Sequence, residues 1–250
     1  MKKQLLKSAL IAVAGVGLLA GSAMALPLDQ LQTQLNARTQ GGTSSTNVYT
    51  GMIADGSDAY WNVTASAGSI STLVFKLGSY NPTISFGIFD SADKTNKLML
   101  LADSATNTFG NATATLTTDG AGNFRVNNVA PSTHFSGGAF GYYIYVGQTQ
   151  ETYYSDSLLN TTDNHYDHMY AYQGKGDQFS IYNNGAYATW SPNEFILAWE
   201  DLNGRYADGN FTDYDVMVES VKPIPEPATM LLFGTGIAGL AGIARRRKTN

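Results

Sequence analysis

Glu200, Asp201, Asp208, Asn210 and Asp213 crowd five oxygen-bearing side chains into residues 200–213. Carboxylates gathered on a loop suit a hard cation. Ca²⁺ takes about six to eight oxygens at about 2.3–2.6 Å, and loop carboxylates and amide carbonyls supply them. Asp208-x-Asn210 puts two of these oxygens on one side of a turn. The pattern is not an EF-hand. Glycine falls at the second position of the loop rather than the sixth, and no Glu occupies the twelfth. The competing reading is a solvated acidic turn that keeps a sheet edge soluble.

The elements needed to hold such a loop are strands. The run 195–199 enters it and 214–219 leaves it. Further short apolar runs at 60–64, 72–77, 83–89, 98–101, 124–129, 141–146, 168–172 and 179–182 are separated by Gly, Asn, Asp and Pro. Several alternate: Ile84, Phe86 and Ile88 share one face of a strand, as do Tyr142, Ile144 and Val146. Leu28, Leu31 and Leu35 mark one short amphipathic helix, 40–47 reads as a polar loop, and 103–123 as surface loops or an edge hairpin. The fold class expected is mainly β, an antiparallel β-sandwich or jelly roll.

Other constellations are weaker. In a strand the imidazoles of His165 and His168 point to opposite faces, so that segment reads as a surface turn leading into a strand rather than a zinc site. There is no Cys in the chain, which excludes a cysteine nucleophile and disulfides. Neither a Gly-x-Ser-x-Gly elbow nor His-Glu-x-x-His occurs, and the chain is expected not to be an enzyme. Trp61, Trp190, Trp199 and tyrosines 142, 143, 145, 153 and 154 are candidate platforms for sugars, or simply core.

Both ends read as addresses. Lys2, Lys3 and Lys7 precede an apolar stretch, and Ala23-Met24-Ala25 is a cleavage site of the signal-peptide type. Residues 1–25 therefore form a signal peptide helix for the export translocon, cut by signal peptidase at the Ala23-Met24-Ala25 site so that the mature chain begins at Leu26. At the other end, 228–244 carry no charge and span roughly 25 Å as a helix, the short end of a membrane crossing. Arg245, Arg246, Arg247 and Lys248 hold that end in the cytoplasm. Gly234-x-Gly236-x-x-Gly239 lacks the preceding strand and the following acid of a dinucleotide site. The prolines ahead of the span are expected to form a stalk.

Between these ends, residues 26–222 carry eight basic and nineteen acidic side chains, against a net charge of −5 for the whole chain. A body so acidic repels nucleic acid and favours divalent cations. The domain plan is thus a signal peptide (1–25), an exported β domain (26–222) and a C-terminal stalk and anchor (223–250) with its transmembrane helix at 228–244.

Pro225-Glu226-Pro227, the Gly/Ala/Leu-rich span and the terminal Arg cluster resemble the PEP-CTERM sorting signal of Gram-negative bacteria. That resemblance implies recognition by an exosortase, processing near Pro225-Glu226-Pro227, and a single-pass membrane precursor later placed at the cell surface or secreted. It also implies company with exopolysaccharide and biofilm. Trp199-Glu200-Asp201-Leu202 with 208–213 resembles a β domain of unknown function in exported bacterial proteins. Its usual Asp-x-Asp-Tyr-Asn-Asp has Asn210, Phe211 and Thr212 substituted here. The function expected is an exported, non-catalytic cell-envelope or matrix protein. The alternatives are a calcium-dependent carbohydrate-binding module and a hydrolase with an unrecognised site.

Overall fold

A computed structural model describes residues 28–65, 68–75, 83–102, 112–182 and 184–225. The leader with Ala23 and Ala25, and the tail with Glu226, Pro227, the span 228–244 and the arginines 245, 246 and 247, lie outside them. Among the described residues no helix is long and apolar enough to cross a membrane.

The chain opens with α1 (Asp29–Arg38). Strands then follow as β1 (Tyr60–Val63), β2 (Ser69–Phe75), β3 (Ile84–Asp90), β4 (Asp93–Leu101), β5 (Thr113–Thr118), β6 (Asn123–Val126), β7 (Thr133–His134), β8 (Phe140–Val146) and β9 (Glu151–Tyr154). After two 3₁₀ turns come β10 (Met169–Gln173), β11 (Gln178–Phe179), β12 (Ala188–Thr189), β13 (Glu194–Trp199), β14 (Tyr214–Glu219) and β15 (Val221–Ile224).

Every pairing is antiparallel. One sheet has the order β15-β1-β8-β3-β4, with β9 also on β8; the other runs β10-β13-β14-β2-β5-β6-β7; β11 and β12 form a separate hairpin. Period-2 patterning builds the layer between the two large sheets. Ile84, Phe86 and Ile88 from β3 and Tyr142, Ile144 and Val146 from β8 meet Phe195, Leu197 and Trp199 from β13 and Tyr214, Val216 and Val218 from β14. Trp61 locks this layer edge-on against Tyr142 and Phe195, with ring centroids 5.7 and 5.0 Å away. The arrangement is that of a β-sandwich.

The seven-stranded sheet is covered on its outer face too. Ile196, Ala198 and Met217 pack under Leu28, Leu31 and Leu35 of the helix segment, with Phe179, Trp190 and Phe211. That explains the unbroken apolar run 195–199: its strand is buried on both sides.

The structure departs from the sequence expectation in several of its strands. Of the segment 103–123, expected as surface loops or an edge hairpin, 113–118 form β5, which makes a hairpin with β6 towards the sheet's β7 edge but itself lies inside the sheet, between β2 and β6. Its core contribution is only Ala114 and Leu116, so it shows little apolar bulk. Glu151–Tyr154 forms β9, too short and polar to show a period. Finally, Pro223 and Ile224, expected in the stalk, are inside β15 on the sheet edge.

Candidate metal centre

The pairing of Trp199 with Tyr214 closes the loop 200–213 at one end of the seven-stranded sheet. Both rings are anchored in the core beside Phe86. The ladder extends one step beyond the named strands: Glu200 N–H donates to His168 O at 3.0 Å, and Asp213 N–H donates to Trp199 O at 3.3 Å. Glu200 and Asp213 therefore leave adjacent strands side by side. Asp201 N–H turns back and donates to Asp213 Oδ2 at 3.2 Å.

One ligand oxygen from each of Glu200, Asp201 and Asp213 lies within 4.8 Å of the others. Oxygens sharing one Ca²⁺ at about 2.4 Å are at most about 4.8 Å apart, so this spacing fits a common ion. The three residues are 0, 2 and 7 % exposed. Beside them His168 Nε2 faces Asp163 Oδ2. Glu200 receives amide hydrogens, from Leu202 at 3.3 Å and Gly209 at 3.0 Å.

Burial and the neighbouring Asp213 and Asp208 charges push the Glu200 carboxyl well above its ordinary range. Burial, with the Asp208 charge, pushes Asp213 the same way. The Asp213 carboxyl thus adds to the rise at Glu200, after burial.

Of the five side chains expected to converge, three do. Asp208 is exposed at the rim, and both its oxygens accept from Asn210, at 3.0 and 2.7 Å. Asn210 Oδ1 is taken by the Thr212 N–H and hydroxyl at 2.8 and 2.7 Å. These two residues shape the turn, and Phe211 at its apex adopts φ +52° with its ring stacked 3.9 Å from Tyr170.

A supporting layer was not legible from spacing. His168, expected on a surface turn, is fully buried, while His165 is exposed. The Nδ1 of His168 faces the Glu200 carbonyl at 2.8 Å, and since a carbonyl only accepts, Nδ1 carries the proton. Nε2 faces Asp163 Oδ2, and Asp163 also accepts twice from Gly204 N–H at 2.9 and 2.8 Å. The imidazole stacks on Tyr153 at 3.6 Å and meets the Tyr166 ring edge-on. Burial lowers its pKa against these partners. His168 and Asp163 thereby tie the segment before β10 to the loop that carries the carboxylates.

Asp215, two residues beyond Asp213, is fully buried, and neither oxygen has a hydrogen-bond partner. Burial raises it far above a normal carboxyl, against the attraction of Arg38.

The rings proposed as sugar platforms face the interior, Tyr145 apart. Trp61, Trp190 and Trp199 are at most 1 % exposed, and Tyr142, Tyr143, Tyr153 and Tyr154 are buried; only Tyr145 of that group reaches solvent. They are core.

The family model of the PEP-CTERM protein-sorting motif matches residues 223–248. No curated protein and no solved structure matches the chain. The motif marks a protein exported in Gram-negative bacteria, with an exosortase as its sorting partner.

Proposed function

The chain carries a PEP-CTERM sorting motif, and from that premise we propose that it is a non-catalytic protein of the cell envelope or extracellular matrix that associates with exopolysaccharide. The carrying observation is the direct continuity of the motif, residues 223–248, with a doubly layered β body whose last strand ends at Ile224. Such a body offers a stable cargo, while the motif supplies the address.

The test compares the full chain in Gram-negative cells with and without the exosortase. With the enzyme, the body is recovered at the surface or in the medium, shortened at its C-terminus. Without it, a longer precursor stays with the inner membrane. Identical size and location in both strains overturn the reading.

A second reading is favoured by one observation. Glu200, Asp201 and Asp213 are buried together, with one ligand oxygen of each within 4.8 Å of the others. Three such carboxylates in one place are unfavourable unless protonated or bound to a cation. In this reading the protein is a calcium-dependent binding module. Beside the centre, Asn164, Tyr166, Asn203 and Arg205 line an open cleft of about 380 Å³. Amide and guanidinium groups there would meet sugar hydroxyls, and the cation would order the loop that carries two of them. Calorimetry of the full chain with and without Ca²⁺, and pull-down on exopolysaccharide, separate this reading from the first.

A further inference from the structure

The matched sorting segment and the folded body overlap. The motif begins at Pro223, yet Pro223 and Ile224 are the last two residues of β15. Among the described residues β15 lies at the edge of the six-stranded sheet and pairs only with β1, in the register Val63–Val221, Asn62–Lys222, Trp61–Pro223 and Tyr60–Ile224. Val221 is buried in the core at 2 % exposure, while Pro223 and Ile224 are half-buried.

This arrangement conflicts with how a processing enzyme takes a peptide. Such an enzyme receives its substrate as an extended segment, whose backbone groups and alternate side chains it satisfies in a groove. From Ile224 to Glu226 the chain reaches at most about 7 Å. A sheet edge with a packed layer about 10 Å thick behind it sits within that reach. The groove and β1 cannot both hold residues 223 and 224.

β15 is built to let go. It has four residues, sits on an edge and contains a proline that cannot donate to a ladder. Short edge segments open locally at far lower free energy than the core. Val221 marks a natural stop, because peeling beyond it would expose the interlayer core.

We propose that β15 is a shared strand: paired to β1 it closes the sandwich, and released from β1 it forms the upstream part of the segment that the membrane-bound sorting peptidase grips. Processing then breaks one peptide bond in the matched segment. The new amine leaves with the tail, and the acyl group passes to water or to an acceptor nucleophile. Release of β15 precedes that step, and afterwards the strand is free to re-pair with β1. The proposal rests on the reading of the chain as a sorting substrate.

A reversible lock tests it. Asn62 and Lys222 are directly opposed, and such partners lie about 4.5–5.5 Å apart between Cα atoms, within disulfide range. The chain has no cysteine to interfere. The full-length Asn62→Cys/Lys222→Cys double variant is exported in cells that carry the sorting enzyme, beside each single variant and the unsubstituted chain. Thr117→Cys/Arg125→Cys, opposed across β5 and β6 in the other sheet, is the disulfide control. The expected result is processing at least tenfold slower for the oxidised β1–β15 lock alone. An eight-residue Gly/Ser spacer between Ile224 and Pro225 in the locked chain restores the rate, since it gives the groove its own extended segment. Equal rates in the locked and single variants overturn the proposal. So does a lock that the spacer fails to relieve. If the unsubstituted chain itself is not processed, the sorting reading falls as well; if it is processed and the lock is silent, only the shared strand falls.

Discussion

Glu200 and Asp213 set the pH behaviour of the candidate centre. Both folded-state pKa values lie above the ordinary carboxyl range, with burial as the first cause. Across the window from the ordinary to the raised values, the folded protein therefore binds more protons than the unfolded chain. Stability of the cation-free protein must fall as pH rises through that window. Ca²⁺ needs these carboxyls ionised, so its affinity must rise with pH. At a concentration of 100 times Kd the ion adds about 2.7 kcal/mol. For a body of this size that is roughly 5–10 °C in melting temperature. Scanning calorimetry at pH 8 with Ca²⁺ and then with chelator is expected to show that difference, and a smaller one at pH 5. Asp201→Ala and Asp213→Ala abolish it. Asp208→Ala only weakens it, because Asp208 is exposed and held by Asn210. In the metal-free protein Asp213→Asn raises the melting temperature at pH 8 by removing one buried like charge. An identical melting curve with and without Ca²⁺ sinks the centre.

The three convergent residues were legible because they flank two strands that a single loop must join. His168 and Asp163 were not. Their contact joins positions five apart, at the approach to β10, and no local period marks that geometry. Asn210 was over-read: its oxygen matches a cation ligand by type, but the nearer Thr212 amide and hydroxyl claim it.

At the level of elements, burial on both faces of β13 and β14 gives α1 a structural role. Leu31 and Leu35 are fully buried against the outer face of that sheet. Leu35→Ala is expected to lower stability by about 2–5 kcal/mol, read by denaturant unfolding. The helix, β3, β8 and β14 were readable because apolar residues recur along one face, and β13 because a short unbroken apolar run marks a strand buried on both faces. β5 escaped because threonines fill its outward positions and only Ala114 and Leu116 reach the core. β15 escaped because prolines argue against a strand, whereas an edge position tolerates one. That edge also has a measurable weight. Ending the chain after Ser220 rather than after Ile224 removes the buried Val221 and uncovers β1 beside Trp61. The shorter body is expected to unfold at a lower denaturant midpoint and to aggregate more readily through the bare β1 edge. Equal midpoints would mean that β15 contributes nothing to the fold.

For the whole molecule, charge constrains which polymer the body can hold. Nineteen acidic side chains face eight basic ones over residues 26–222. At physiological ionic strength fields from exposed charges decay over about 8 Å, so repulsion acts at contact rather than at distance. An anionic polysaccharide meets that repulsion along its whole length on the surface. A divalent cation held by protein carboxylates and shared with polymer carboxylates reverses its sign locally, and a monovalent salt only screens it. Co-sedimentation of the exported protein with an anionic exopolysaccharide is therefore expected to need millimolar Ca²⁺. Chelator reverses it, equal ionic strength of NaCl does not replace it, and Asp201→Ala loses it. A neutral polysaccharide feels no such repulsion, so Ca²⁺ then matters only through the order of the loop 200–213. Strong binding to an anionic polymer with chelator present would place the contact on the few basic side chains, such as Arg125 or Lys222, and detach polysaccharide binding from the carboxylate centre altogether.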